Sequence, residues 1–195
     1  MASSVSKKMP RAERRAQLLE TAHNMVREQG TDALTLGGLA ERAGVSKPIA
    51  YSHFETRAGL MIALYKEIND RQVRALDAAL RETPVRLGDF ARLIAQAYME
   101  CHDAVGPEWH AIAAALKGDA QMSAYQQEMI DGHIALFIKA LAPLVTLSEI
   151  EISRRCIAII GAAEALSDAM VNARISKGEA VDELASLIST WLAAN

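Results

Sequence analysis

TDALTLGGLAERAGVSKPIAYSHF, residues 31–54, is the stretch from which the rest of the chain can be read. Leu36, Leu39, Ala40 and Ala43 recur at three- and four-residue spacings. This puts them on one face of a helix of about 35–43, with the Thr35 hydroxyl as its cap. Gly44 supplies the left-handed backbone that ends a helix without a Cβ penalty, and Val45 can plug the angle to the next helix. Ser46 is a good N-cap. Pro48 falls in the first turn of a second helix, about 46–53, where its missing N–H removes no intrahelical bond. This second helix exposes Lys47, Pro48, Ile49, Tyr51, Ser52 and His53, with little polar bulk and no acidic residue, so it can approach a polyanion closely. Two helices joined in this way are the geometry that sends the second into a DNA major groove by its N-terminal end.

Charge along the chain points the same way. Residues 1–66 hold ten Lys and Arg against six Asp and Glu, net +4, while the remaining 129 hold eleven against eighteen, net −7, within a total of −3. A cationic first third on an anionic body suits a nucleic-acid reader with a separate sensor half, whereas a non-specific DNA coater would need more positive charge overall. The first ten residues have no periodicity and are expected to form a flexible basic arm, in which Lys7 and Lys8, with Arg11, Arg14 and Arg15 beyond it, can neutralise phosphates. A first helix of about 11–29 follows, burying Leu18, Leu19, Ala22, Met25 and Val26 and closed by Gly30.

From Arg14 to about Leu64 the chain resembles the TetR family of transcriptional repressors. The resemblance rests on Leu18, Leu19 and Ala22, on Gly30 and Thr35, on AGVS at 43–46, and then on Tyr51, His53, Phe54, Arg57 and Leu60. It implies that Thr35, Lys47, Tyr51 and His53 touch phosphates, with Ser46 among the DNA-binding set. It also implies that Arg57 stands where the family usually has a phosphate-binding lysine, that Pro48, Ile49 and Ser52 face base edges, and that Phe54 is core. Gly37 and Gly38 depart from the family pattern, which commonly has polar or charged side chains there. In the family the last two helices form a homodimer interface, so the resemblance also implies a dimer.

The remainder reads as all-α, about nine helices in total, with no strand-like alternation. Residues 11–55 form the helix-turn-helix domain and 56–195 a helical effector-binding and dimerisation domain. A connector helix over 56–82 carries Leu60, Leu64, Ile68, Val73, Leu76 and Leu80 and is closed by Thr83 and Pro84. Helices follow at about 86–103 and, after a break at Gly106 and Pro107, over a short stretch ending at Gly118, then at about 120–141. Tyr98, Cys101, His102, Trp109, Tyr125, Met129, His133 and Phe137, with His110 and Met122 nearby, are candidates to line a largely apolar pocket for a hydrophobic or aromatic effector. Ser148 and Glu151 form a capping box for a helix of about 149–175, in which Gly161 and Ala165 would let another helix come close. A last helix after Gly178 shows Val181, Leu184, Ile188 and Trp191 at coiled-coil-like spacing; these residues with Gly161 and Ala165 are the expected dimer contacts.

Catalysis finds no support: there is no GxSxG, GxGxxG, P-loop or HExxH, and Glu164 and Asp168, four apart, read as surface or interface charges. No metal site and no cofactor are expected, because Cys101, His102, His110 and His133 form neither a CxxC unit nor an i, i+4 pair. The longest apolar run, CIAIIGAA at 156–163, is far too short to span a membrane, and no secretory h-region is visible. Two distant cysteines suggest a reducing, cytoplasmic setting. The expected function is a regulator, most directly a repressor, released from an inverted-repeat operator by a small hydrophobic effector; a small all-α ligand carrier or enzyme is the competing reading.

Overall fold

The computed structural model describes residues 9–81, 86–106 and 108–193. The basic arm up to residue 8, the boundary at Thr83 and Pro84, the break at Pro107 and the side chains of Leu76 and Leu80 lie outside the described residues. Every regular element described is helical. The chain divides into two compact units, one ending at Leu64 and the other beginning at Tyr65.

The first unit contains α1 (Arg11–Gln29), a 3-10 turn (Thr31–Ala33), α2 (Leu36–Arg42), α3 (Lys47–Phe54) and the opening turns of α4 (Arg57–Arg81). Leu18 and Ala22 of α1, Leu39 of α2, Ala50 of α3 and Leu60 of α4 are all fully buried, so one small core holds the four helices together. Thr35 caps α2 as expected, its hydroxyl accepting from the Gly38 N–H at 3.0 Å. Thr35→Ala is therefore expected to lower the stability of this unit by about 1 kcal/mol, read as a shift in urea midpoint at unchanged slope.

Gly44 has φ 66° and sits in a Schellman ending of α2, with Val45 N–H bonding the Ala40 carbonyl and Gly44 N–H that of Glu41. Ser46 behaves differently from the expectation: its hydroxyl makes no cap bond. The position two residues on is Pro48, which has no N–H, and the next N–H, that of Ile49, bonds the Ser46 carbonyl at 2.9 Å. No donor remains for the hydroxyl to receive.

The second unit comprises the rest of α4 with α5 (Leu87–Val105), α6 (Glu108–Leu116), α7 (Ala120–Leu141), α8 (Glu149–Val171) and α9 (Lys177–Leu192). Its largest packing is α5 against α9, followed by α8 against α9. Phe90, Ile94 and Met99 of α5 meet Leu184, Ile188 and Leu192 of α9 in one core, with Ile152, Cys156 and Ile159 of α8. The expectation that Val181, Leu184 and Ile188 contact a second subunit is thus corrected: they are 7%, 1% and 3% exposed, inside their own unit. Their spacing defines an apolar face but not its partner, and α5 takes it. Of that seam only Trp191, 45% exposed, remains on the surface.

Two helix ends also differ from the sequence reading. α8 stops at Val171 rather than near 175, in a Schellman turn whose left-handed residue is Ala173, φ 56°, with no glycine to announce it. α9 starts at Lys177, ahead of Gly178, because Ser176 and Glu179 form a capping box.

Candidate nucleic-acid interface and cavity

α3 presents Lys47, Pro48, Ile49, Tyr51 and Ser52 outward, and Ile49 and Tyr51 are 36% and 50% exposed. Phe54 turns inward and is buried, as expected. A surface with one lysine and two bare apolar side chains beside small polar residues suits contact with a polyanion and with the apolar edges it carries. The glycines at 37 and 38 now have a local account. A Cβ at Gly37 would lie 3.7 Å from Lys47 Cε, so the lysine stem runs alongside that glycine. A Cβ at Gly38 would come within 3.1 Å of the Thr35 hydroxyl, so glycine there keeps the cap uncrowded.

The basic residues behind α3 are engaged. Arg11 donates to the Ser52 carbonyl at 3.1 Å and Arg15 to that of His53 at 3.0 Å, satisfying carbonyls at the C-terminal end of α3, where a helix has orphan acceptors and partial negative charge. Arg15 also lies 4.9 Å from the centre of the Phe54 ring. Arg57 directs Nε to the Leu34 carbonyl at 3.0 Å and Nη2 to that of Thr31 at 2.8 Å, tying the start of α4 to the turn before α2. Its geometry is that of a brace. His53 is half-buried; burial first, then the nearby Arg11, Arg15 and Arg14, lowers its pKa, so near neutral pH the ring offers a neutral N–H and not a cation.

The second unit holds a cavity of about 80 Å³, room for several waters' worth of a compact guest. Of the candidates from sequence, Tyr98, Trp109, His133 and Phe137 line it; Cys101, His102, Tyr125 and Met129 do not. His102, Tyr125 and Met129 each touch a lining residue from outside it. His102 is fully buried, with its ring 4.2 Å from that of Tyr98, and Tyr125 meets Tyr65 edge-on at 6.4 Å. Met129 Sδ accepts from Asn69 Nδ2 at 3.5 Å.

Sequence reasoning missed several lining residues: Tyr65 and Asn69 on α4, Ile159 and Glu164 on α8, and Leu184 and Ile188 on α9. The signal for them is long-range, since residues from six helices share one space, and no local spacing encodes that. Tyr65 stacks on Trp109 at 4.8 Å, and burial, then Glu164, pushes its pKa up to about 12; the same two causes raise that of Tyr98. No cluster of three metal-ligating side chains occurs among the described residues, and no described helix is long and apolar enough to cross a membrane.

α1 to α3 with the bare face of α3 define a helix-turn-helix protein of the all-helical class. Residues 18–64 match the model for bacterial regulatory proteins of the tetR family. The chain is 40% identical over 76 residues to the HTH-type transcriptional activator FasR of Mycolicibacterium smegmatis, 39% of this chain and 35% of FasR. It is 34% identical over 91 residues to the HTH-type transcriptional regulator TtgR of Pseudomonas putida, 45% of this chain and 42% of TtgR. The matched stretches thus span less than half the length of either relative. A TetR-like transcriptional regulator from Rhodococcus sp. RHA1 shares the fold at a TM-score of 0.71 and 23% identity, over 93% of this chain and 96% of that one.

Proposed function

We propose that the protein is a ligand-responsive, sequence-specific DNA-binding regulator of transcription that works as a homodimer on an inverted repeat and is released by a small effector. The observation that carries this reading is the face of α3: five outward side chains without a carboxylate, on a short helix whose N-terminal end is open and whose far end is held by Arg11 and Arg15. In this reading Thr35, Lys47, Tyr51 and the Ser46 hydroxyl hold phosphates, His53 adds a neutral donor, and Pro48, Ile49 and Ser52 face base edges. Arg57 acts from behind as a positioning residue.

The dimer surface is assigned to the outer faces of α8 and α9. Ile157 and Trp191 are 58% and 45% exposed there, and Gly161 and Ala165 lie on the solvent side of α8. Dimeric helix-turn-helix readers meet half-sites about 34–36 Å apart, hence the inverted repeat. α4 carries both Arg57 and the cavity residues Tyr65 and Asn69, so a ligand in the cavity acts on a helix continuous with the DNA-reading unit. A hundredfold loss of operator affinity needs about 2.7 kcal/mol of coupling.

The test is a titration of operator and random duplex over a range of salt. About 6 to 8 phosphate contacts per dimer give a slope of log affinity on log salt of roughly −5 to −7. Lys47→Ala is expected to remove about one unit of slope per subunit while weakening all sequences alike. Substitution of Ile49 or Ser52 is expected to change which base is preferred. Equal affinity for operator and random DNA at every salt concentration would end the proposal.

A further inference from the structure

The cavity is unlike a plain apolar pocket in its polar handles. Its lining is mostly aliphatic and aromatic, with Tyr65, Tyr98, Trp109 and Phe137 supplying ring surface, yet it includes one carboxylate, Glu164, and neither lysine nor arginine. No side-chain bond or ion pair among the described residues engages that carboxylate. The nearby imidazole of His110 is kept neutral near pH 7, because burial lowers its pKa despite the pull of Asp168 and Glu164. His133, also on the wall, is lowered by burial as well.

Asn69 adds a second, independent sign. It is 4% exposed, lines the same cavity, and its Oδ1 is buried without a partner. Its Nδ2 is directed at Met129 Sδ, 3.5 Å away. A thioether can only accept, so this contact fixes which end of the amide is which and leaves an acceptor oxygen with nothing to receive. A buried acceptor left unmade costs free energy that a donor-bearing guest would recover.

Resting on the effector reading above, we infer that the guest is a protonated organic amine with a compact apolar body, its ammonium recognised by the Glu164 carboxylate and the Asn69 carbonyl oxygen. Two acceptors and one full negative charge select a donor that carries positive charge, and an anion would meet an uncompensated carboxylate. The aromatic walls add cation–π attraction, which a neutral hydrophobe of the same shape does not gain. The sequence alone suggests a hydrophobic or aromatic compound; the cavity adds the charge.

The experiment uses the full chain at pH 7.5 and calorimetric titration with three matched probes: 2-phenylethylammonium, 2-phenylethanol and phenylacetate. The expected result is that the cation binds about tenfold or more tighter than the alcohol, and that phenylacetate binds weakest. In Glu164→Gln the cation should fall to the level of the alcohol while the alcohol is unchanged, which also shows that the variant still has its cavity. Quenching of tryptophan fluorescence in a Trp191→Phe background, where Trp109 is the remaining indole, places the probe. Binding of the alcohol or of phenylacetate as tight as that of the cation, or a cation affinity untouched by Glu164→Gln, would overturn the inference and leave the effector reading standing. Failure of all three probes to bind would overturn both.

Discussion

Leu184→Asp is expected to abolish the cooperative unfolding transition of the second unit, whereas Trp191→Asp should leave that transition in place and convert the proposed dimer to monomers. Leu184 is 1% exposed between α5 and α8 and also reaches the cavity wall, so an aspartate there loses the buried side chain's contacts and puts an unpaired charge in their place. Together these cost about 4 kcal/mol or more, comparable with the whole stability of many domains. Trp191 lies on the outer face of α9, and its ring borders a groove formed with Ala162, Ala165 and Leu166 of α8. A charge there is solvated in the monomer and meets only the proposed partner. Circular-dichroism melting with sedimentation velocity separates the cases; a Leu184→Asp variant that is folded and monomeric would return the seam to the subunit interface.

Acidification is expected to weaken the second unit through His102. Its ring is completely buried, and burial first, then His110, brings its pKa down to about 3 from an ordinary 6.5. The folded form therefore refuses a proton that the unfolded chain accepts below pH 6.5. The stabilising contribution is complete above that value and is lost as pH falls from there toward 3. Between pH 7.5 and pH 5 the loss is about 2 kcal/mol from this ring. His110 and His133, less deeply placed and lowered chiefly by burial, push the same way. Urea unfolding at both pH values reads the difference. His102→Phe, which keeps a ring against Tyr98, should flatten the profile; an unchanged profile in that variant would place the acid sensitivity elsewhere.

The residues that make α2, the turn and α3 act over distances of three to five positions, which explains why so much of the first unit is legible in the sequence. Leu36, Leu39 and Ala40 bury as their spacing requires, Thr35 caps through an N–H three residues on, and Gly44 adopts the left-handed turn that an L side chain resists. Helix boundaries fail where the signal is not the usual residue: Ala173 takes a conformation normally given to glycine, and the capping box of Ser176 and Glu179 precedes the more conspicuous Gly178. Ser46 has the right residue type for a cap, but Pro48 two positions on has no N–H and the Ile49 N–H bonds the Ser46 carbonyl, so the hydroxyl makes no cap bond.

Tertiary structure alone decides which surface each apolar face meets. The periodicity of Val181, Leu184 and Ile188 is the same whether the partner is α5 of the same chain or a second copy, because burial depends on what is nearby and not on sequence spacing. Likewise Glu164 and Asp168 share a helical face in sequence, yet Glu164 borders the cavity while Asp168 accepts from Asn172. The sequence by itself determined the helices, the turn that joins two of them and the bare face of the second. The chemistry of the cavity arose only when Asn69 and Glu164, 95 positions apart, were folded onto the same space.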